Sequence, residues 1–164
     1  MGKANYVLKK EQFSNLLAKG AKGEKVIIER LSKLTEVKDL TDYTVFKRYQ
    51  RKGLDFQFKS LKDTGVWLRG DSKANIMGGT EENLGVTFFE IYKGTGKEGW
   101  FKTSKSDFIF IYDIKMGRSY FYDLDEMRKH INSLPDFDTR LKRVSDGAYG
   151  IWWPVAHNLI KELL

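Results

Sequence analysis

The sequence pattern changes at Tyr43, and this change limits the folds that are open to the chain. Before it, residues 8–19 and 24–34 space apolar side chains at helical intervals, with Gly20 and Gly23 between them. This pattern predicts one interrupted helix or a helical pair. After Tyr43 come short runs of β-branched and aromatic residues, which predict strands. The predicted strands cover residues 43–49, 54–59, 66–73, 86–92, 107–114, 118–124 and 149–155.

Two further helices are predicted towards the end of the chain. Residues 124–131 are expected to form a helix opened by Asp123 or Asp125, and residues 156–164 a last one. The order of helix, mixed strands, helix, strand and helix predicts an α/β fold with a mixed central sheet flanked by helices. At 164 residues, 41% of them apolar, one domain is expected, with an N-terminal helix in residues 1–22 and a core in residues 23–164.

The composition excludes several classes of protein. Without cysteine there is no disulfide framework, cysteine-based zinc site, iron–sulfur cluster or thiol nucleophile. There is no N-terminal apolar run and no stretch of about 18 apolar residues, so we expect a cytoplasmic protein with no membrane partner. The glycine-rich segment 78–85 lacks the Lys-Ser/Thr ending of a phosphate loop, so no nucleotide cofactor is expected.

The positive charge points to a polyanionic partner. The net charge is +7, and the first third of the chain carries twice as many basic as acidic side chains. This favours nucleic acid, and a membrane surface only after it. For each basic residue taken alone, an ordinary solvated side chain is the alternative. The candidate nucleic-acid contacts are Lys47, Arg48, Arg51, Lys52, Lys105, Arg140, Lys142 and Arg143.

The segments 54–59 and 66–73 carry the clearest chemical pattern. A hairpin centred near Asp63 puts Asp55 opposite Asp71, and Lys73 shares a strand face with Asp71. Like charges opposite each other need a compensating cation, and two carboxylates suit Mg²⁺. Lys73 would then orient the attacking water and stabilise the charge of the transition state. The alternative is a pair of solvated carboxylates on a polar sheet face.

These residues resemble a known family. Gly53-Leu54-Asp55 followed by Asp71-Ser72-Lys73 is similar to the D…(D/E)-x-K motif of restriction-endonuclease-like, or PD-(D/E)xK, nucleases. The resemblance extends from about Gly23 to Leu164 and includes three further segments of small phage and microbial members. Those segments are Gly23-Glu24, Phe88-Phe89-Glu90, and Gly99-Trp100 with the run from Ser104 to Phe108. The chain departs from the pattern in having Asp71 where Glu is commoner and Leu54 where Pro often stands.

The resemblance implies a single restriction-endonuclease-like domain that hydrolyses DNA phosphodiester bonds. The cofactor would be Mg²⁺, with Mn²⁺ substituting, held by Asp55 and Asp71. Lys73 would assist the attacking water, Glu24 would be an auxiliary metal ligand and Glu90 an auxiliary catalytic residue. Glu24 has an alternative role, because a Glu in the first turn of a helix is favoured by the macrodipole. Glu90 lies in an apolar run, where an ionised side chain needs a partner or a metal.

Three alternatives stay open. The first is a structure-specific nuclease, such as a Holliday-junction resolvase, in place of a sequence-specific one. The second is a catalytically inert module that binds nucleic acid or protein on the same fold. The third is a structural or interaction protein with no nucleic-acid role, which the charge pattern disfavours. Because cutting both DNA strands with one small site usually calls for two protomers, a homodimer is expected.

Overall fold

The computed structural model describes residues 10–75, 86–114, 116–144 and 147–154. The segment 78–85 and the helix predicted over residues 156–164 lie outside them. Within the described residues no helix is long and apolar enough to cross a membrane. The helices are α1 (Lys10–Ser32), α2 (Lys47–Gln50), α3 (Trp100–Thr103), α4 (Leu124–Asn132) and α5 (Phe137–Arg140). The strands are β1 (Val37–Asp42), β2 (Phe56–Ser60), β3 (Asp63–Asn75), β4 (Val86–Tyr92), β5 (Phe108–Asp113), β6 (Arg118–Asp123), β7 (Lys142–Arg143) and β8 (Tyr149–Pro154).

The strands form two sheets. The larger has the order β1-β2-β3-β5-β6, in which β3 and β5 are parallel and the other neighbours antiparallel. The smaller is antiparallel with the order β4-β8-β7. Joining two parallel strands needs a crossover, and here the chain makes it through β4 and α3. The predicted α/β class with a mixed sheet is confirmed, and the small antiparallel sheet is an addition to it.

Both faces of the larger sheet are covered, because successive side chains of a strand point to opposite faces. Phe110 of β5 packs with Ile27 and Leu31 of α1 in one buried cluster. Its neighbours Ile109 and Ile111 belong to the other cluster, which includes Phe89 of β4, Ile151 of β8 and Ile131 of α4. The sheet therefore lies between α1 on one side and the small sheet with α4 on the other.

The N-terminal helix is continuous. Neither an interruption nor a helical pair is present, because α1 runs through Gly20 and Gly23. Gly23 is buried, and a Cβ built on it would lie 2.7 Å from the Cβ of Ala74 in β3. The residue expected to break the helix is thus the one that lets α1 approach β3 closely. The division expected after residue 22, between the N-terminal helix and the core of the one domain, falls inside this helix.

The strand predicted over residues 43–49 is wrong. The first strand is β1, residues 43–46 form a turn, and residues 47–49 belong to α2. The Tyr43 N–H still bonds across to the Asp55 carbonyl, but the Phe46 N–H bonds to the Tyr43 carbonyl and the Tyr49 N–H to the Phe46 carbonyl, so the ladder does not continue. The rings of Tyr43 and Tyr49 stack with their centroids 4.1 Å apart. The aromatic residues that suggested a strand therefore pack against each other.

The hairpin of β2 and β3 has the predicted register. Phe56 pairs with Gly70 and Lys59 with Trp67, so the pairs are centred on Asp63. The strands over 86–92, 107–114, 118–124 and 149–155 are also confirmed within one or two residues at each end. The helix over 124–131 is confirmed, and Asp123 is its N-cap because its side chain accepts the Glu126 N–H.

Candidate active site

Asp71 lies on β3 in the buried centre of the site. Its side chain accepts a hydrogen bond from the Lys73 ammonium at Oδ1, while Oδ2 is buried and has no hydrogen-bond partner. Burial raises the pKa of Asp71 to about 7; Lys73 opposes this rise and the Asp55 carboxylate adds to it. A buried polar atom without a partner is uncommon and destabilising. The Oδ2 atom of Asp71 could therefore act as a ligand to a cation.

Asp55 precedes β2 and reaches across to β3. Its N–H donates to the Gly70 carbonyl at 2.9 Å, and its Oδ2 accepts the backbone N–H and the hydroxyl of Ser72, both at 2.8 Å. The β2 ladder ends at the pair Phe56–Gly70. Beyond it, the Asp55 carboxylate satisfies the backbone donor of Ser72 that β2 no longer reaches. This bond holds two carboxylates, those of Asp55 and Asp71, at the end of the hairpin.

Lys73 combines an ion pair with access to solvent. Its ammonium contacts Asp71, and its side chain keeps 32% of its surface exposed. Burial alone would lower the pKa of Lys73, but the surrounding carboxylates, foremost Asp71 and Asp55, raise it above its ordinary value. The ammonium is 5.9 Å from the centroid of the Trp100 ring. Lys73 is therefore a charged donor at the rim of the site.

Glu24 approaches the same cluster from α1. It is partly buried, and burial raises its pKa, with Asp55 raising it further and Lys73 lowering it. It lies in the second half of α1, far from the helix start, so the macrodipole explanation of its position is wrong. The neighbouring Gly23, in contact with Ala74, brings this turn of the helix against β3.

Glu90 lies in the small sheet and is joined to the cluster through Trp100. The alternation of β4 buries Thr87, Phe89 and Ile91 and leaves Glu90 partly exposed on the opposite face. Its Oε1 accepts the Trp100 N–H at 3.3 Å. The bonded group is the backbone N–H of Trp100, so Glu90 holds the first residue of α3, whose ring lies near Lys73.

The eight basic candidates divide into two exposed groups. Lys47, Arg48, Arg51 and Lys52 lie on α2 and the turn after it, and the Lys105 N–H donates to the Lys52 carbonyl at 2.7 Å. The turn begins at Tyr43, whose N–H donates to the Asp55 carbonyl at 2.6 Å, so this group adjoins the carboxylates.

The second group, Arg140, Lys142 and Arg143, lies on α5 and β7 at the edge of the small sheet. Arg140 pairs with Asp136 at 2.8 Å, and the Arg143 guanidinium lies 5.9 Å from the Tyr149 ring centroid. Lys142 pairs with Gly150, which in turn pairs with Glu90.

The acidic side chains of the candidate site suit a metal ion that is bound by only a few protein ligands. Among the residues that the structure describes, no three acidic or histidine side chains are already arranged around one point. The close pair is Asp55 and Asp71, with Glu24 beside them. Mg²⁺ suits such a pair, because it is usually bound by one or two carboxylates and keeps several waters. The open Oδ2 of Asp71 fits this requirement.

Sequence reasoning missed two residues of the site. Ser72 was only the variable position between Asp71 and Lys73, yet it holds Asp55. A hint was available, since a small hydroxyl side chain next to a carboxylate pair is a natural donor. Gly23 was assigned to a hinge, and nothing in its local pattern pointed to Ala74.

Comparisons with known proteins found no significant match among protein-family models, curated proteins or solved structures.

Proposed function

We propose that this protein is a Mg²⁺-dependent endonuclease that hydrolyses DNA phosphodiester bonds on a restriction-endonuclease-like fold. The observation that carries the proposal is the buried Asp71, whose Oδ2 has no hydrogen-bond partner, next to the Asp55 carboxylate and the Lys73 ammonium. Two close carboxylates repel each other, and a bound cation would offset that repulsion. The mixed sheet with α1 packed on β3 is compatible with the fold that the sequence resemblance implies.

Asp55 and Asp71 would hold the metal, with Glu24 at its edge. Bound Mg²⁺ polarises the phosphate and lowers the pKa of a water molecule. Mn²⁺ prefers similar oxygen ligands and is expected to substitute. Ser72 fixes the orientation of Asp55 before any metal is present, so the pair is organised in advance.

Lys73 would act on the substrate directly. Its charged ammonium, on a partly exposed side chain, can donate to a phosphate oxygen and stabilise the negative charge that develops there in the transition state. Its bond to Asp71 holds it in place, and the Trp100 ring lies 5.9 Å from the ammonium, on a residue whose backbone N–H is bonded to Glu90. Asp71 therefore has two tasks, which are to bind the metal and to position the lysine.

The basic side chains would contact the DNA backbone. Those around α2 adjoin Asp55, so phosphates that they bind would pass beside the carboxylates. Contacts of this kind position the duplex and carry no sequence information themselves. Cutting both strands would require a second protomer or a second binding event.

A cleavage assay with matched variants tests the proposal. Supercoiled plasmid is incubated with purified protein and Mg²⁺, Mn²⁺ or EDTA. We expect cutting with either metal and none with EDTA, and a loss of at least about 100-fold in Asp71→Asn and Lys73→Met.

The controls are a buried aspartate and a paired lysine outside the site. Asp113 caps a turn by accepting the Met116 N–H, and Lys59 pairs with Asp39 at 3.4 Å and lies 4.5 Å from the Trp67 ring centroid. Asp113→Asn and Lys59→Met should keep the activity. Wild-type protein that binds DNA equally with and without metal and cuts nothing would instead indicate an inert binding module.

A further inference from the structure

An exposed apolar tip projects from the turn that adjoins the carboxylates. Val45 is 79% exposed and Phe46 51% exposed, at the start of α2. Isolated apolar residues on a surface need no explanation, but two adjacent ones on a short turn form a small protruding surface. We call residues 43–52, which carry this surface, the tip loop.

The tip loop is held firmly on the candidate site. Tyr43 at its start is bonded to the Asp55 carbonyl, and Lys52 at its end accepts the Lys105 N–H. Inside the loop the Tyr43 and Tyr49 rings stack, and Phe46 meets the edge of Tyr49 with centroids 6.4 Å apart. The apolar tip is therefore displayed by a rigid support one hydrogen bond away from Asp55.

The charge of the tip loop is of one sign. It contains four cations, Lys47, Arg48, Arg51 and Lys52, and no acidic residue. All four are exposed, on α2 or directly after it, and Lys52 lies beside the exposed Lys105. The cations follow the apolar pair in the chain, while the carboxylate that precedes the loop, that of Asp42, is occupied by the Thr44 N–H and hydroxyl. An apolar surface next to several cations is complementary to a ligand that presents flat apolar faces between rows of phosphates.

From these observations we infer that the tip loop recognises branched DNA by inserting Val45 and Phe46 against base faces exposed at the branch point. This inference rests on the proposed function and names its substrate class. In a continuous duplex the base faces are covered by their neighbours, and separating them is unfavourable. At a branch the bases are already partly unstacked, so the same contact is gained with less disruption. The cations would bind the phosphates on either side.

A cationic loop with apolar residues also suits an anionic membrane surface. Two observations favour DNA. The N–H of Tyr43, at the start of the loop, donates to the backbone carbonyl of Asp55, so the loop adjoins a candidate metal ligand. Thr44 and Gln50 of the loop also line a cleft together with Glu24. The loop that carries Val45 and Phe46 therefore lies next to the candidate site.

Binding measured without metal separates this inference from the nuclease proposal. A four-way junction carrying 2-aminopurine at the branch and a linear duplex of equal length are titrated with protein in EDTA. Anisotropy gives the affinity, and the 2-aminopurine fluorescence reports unstacking. The variants are Val45→Ser, the double variant Val45→Ser with Phe46→Ser, and Leu61→Ser as a control. Leu61 is 51% exposed in the turn between β2 and β3.

We expect wild-type protein and Leu61→Ser to bind the junction more tightly than the duplex and to raise the 2-aminopurine fluorescence. The double variant should lose about tenfold in junction affinity, because one lost base contact is of that order, and keep its duplex affinity. Val45→Ser, at the more exposed position, should show part of this loss even if Phe46 contributes to folding. Equal affinity of wild-type protein for both DNAs, or an equal loss for both in the variants, would overturn the inference.

The remaining outcomes assign the failure to one proposal or the other. One outcome is that the protein binds the junction through the tip loop and yet cuts no DNA with Mg²⁺. That result would contradict the proposed nuclease activity and support the inference about the tip loop. If the protein cuts plasmid but binds the junction no more tightly than the duplex, only the inference about the tip loop is contradicted. If the substitutions abolish binding to phosphatidylserine vesicles and leave junction binding unchanged, the loop serves a membrane and the inference is wrong.

Discussion

The Asp55 carboxylate accepts two hydrogen bonds from Ser72, one from the backbone N–H and one from the hydroxyl, each 2.8 Å long. Ser72 stands between Asp71 and Lys73 on β3, so one strand carries the second carboxylate, the lysine and the group that orients the first carboxylate. Both partners are buried. Asp55 is thereby bonded to β3 although it belongs to a different segment of the chain.

This bond can be tested by Ser72→Ala. The substitution removes the hydroxyl donor and keeps the N–H, so Asp55 loses one of its two constraints. We expect cleavage at limiting Mg²⁺ to fall by about 10- to 100-fold, the range usual for partners of metal ligands. Ser106→Ala is the matched control, because Ser106 is also buried and bonds to Ser104 at 2.8 Å. Equal activity of the two variants would contradict a positioning role for Ser72.

Asp71→Asn should make the metal-free protein more stable at pH 8. The pKa of Asp71 is raised from 3.8 to about 7 by burial, so between these pH values the folded state holds one more proton than the unfolded state. Stability from this group is therefore present below about pH 4 and is lost as the pH rises through about 7. Replacing Asp71 by asparagine removes the buried charge, so the folding stability no longer falls as the pH rises through this range.

The measurement is thermal unfolding in EDTA at pH 5 and pH 8. Asp71→Asn should unfold a few degrees above wild type at pH 8, since about 1 kcal/mol shifts the midpoint by about 2–4 °C in a domain of this size. The difference should shrink at pH 5. Asp113→Asn should show no such gain, because Asp113 already accepts the Met116 N–H. A lower midpoint for Asp71→Asn at pH 8 would show that the Lys73 pair outweighs the burial of the charge.

Two glycines of α1 should respond to alanine in opposite directions. A Cβ at Gly20 meets no atom within 4 Å, so Gly20→Ala should stabilise the protein by about 0.5–1 kcal/mol through helix propensity. A Cβ at Gly23 would lie 2.7 Å from the Ala74 Cβ, so Gly23→Ala should destabilise it by about 1–3 kcal/mol.

Denaturant unfolding checks both values. Because Gly23→Ala would also push Glu24 away from the carboxylates, it should lower the cleavage rate as well. The reciprocal change Ala74→Gly, made in the same chain, should restore part of both losses. A stabilising Gly23→Ala would mean that α1 does not pack on β3 at this point.

Much of the larger sheet and one part of the candidate site could be predicted because they depend on local pattern. The register of β2 and β3 follows from the spacing about Asp63, and runs of β-branched and aromatic residues identify β4 and β5. Asp71 and Lys73 share a face because they are two positions apart in a strand. Such features are set by residues close together in the sequence.

The features that sequence reasoning missed depend on contacts between distant segments. The close approach of α1 to β3 at Gly23 involves Ala74, 51 residues further along the chain. The strand β1 was missed because its sequence VKDLTD has no clear alternation; as an edge strand it pairs only with β2. The tip loop looked like a strand because its aromatic residues are also common in strands. None of these partners can be found from one segment alone.

The central claim is that Asp55 and Asp71 form a metal site, and direct binding of Mn²⁺ tests it most simply. Electron paramagnetic resonance of free Mn²⁺, without DNA, counts the ions bound per chain at pH 8 and pH 6. We expect one ion at pH 8, weaker binding at pH 6 because Asp71 must lose its proton, and loss of the ion in Asp71→Asn but not in Asp113→Asn. Failure of the wild-type protein to bind Mn²⁺, or binding unchanged in both Asp55→Asn and Asp71→Asn, would contradict the account.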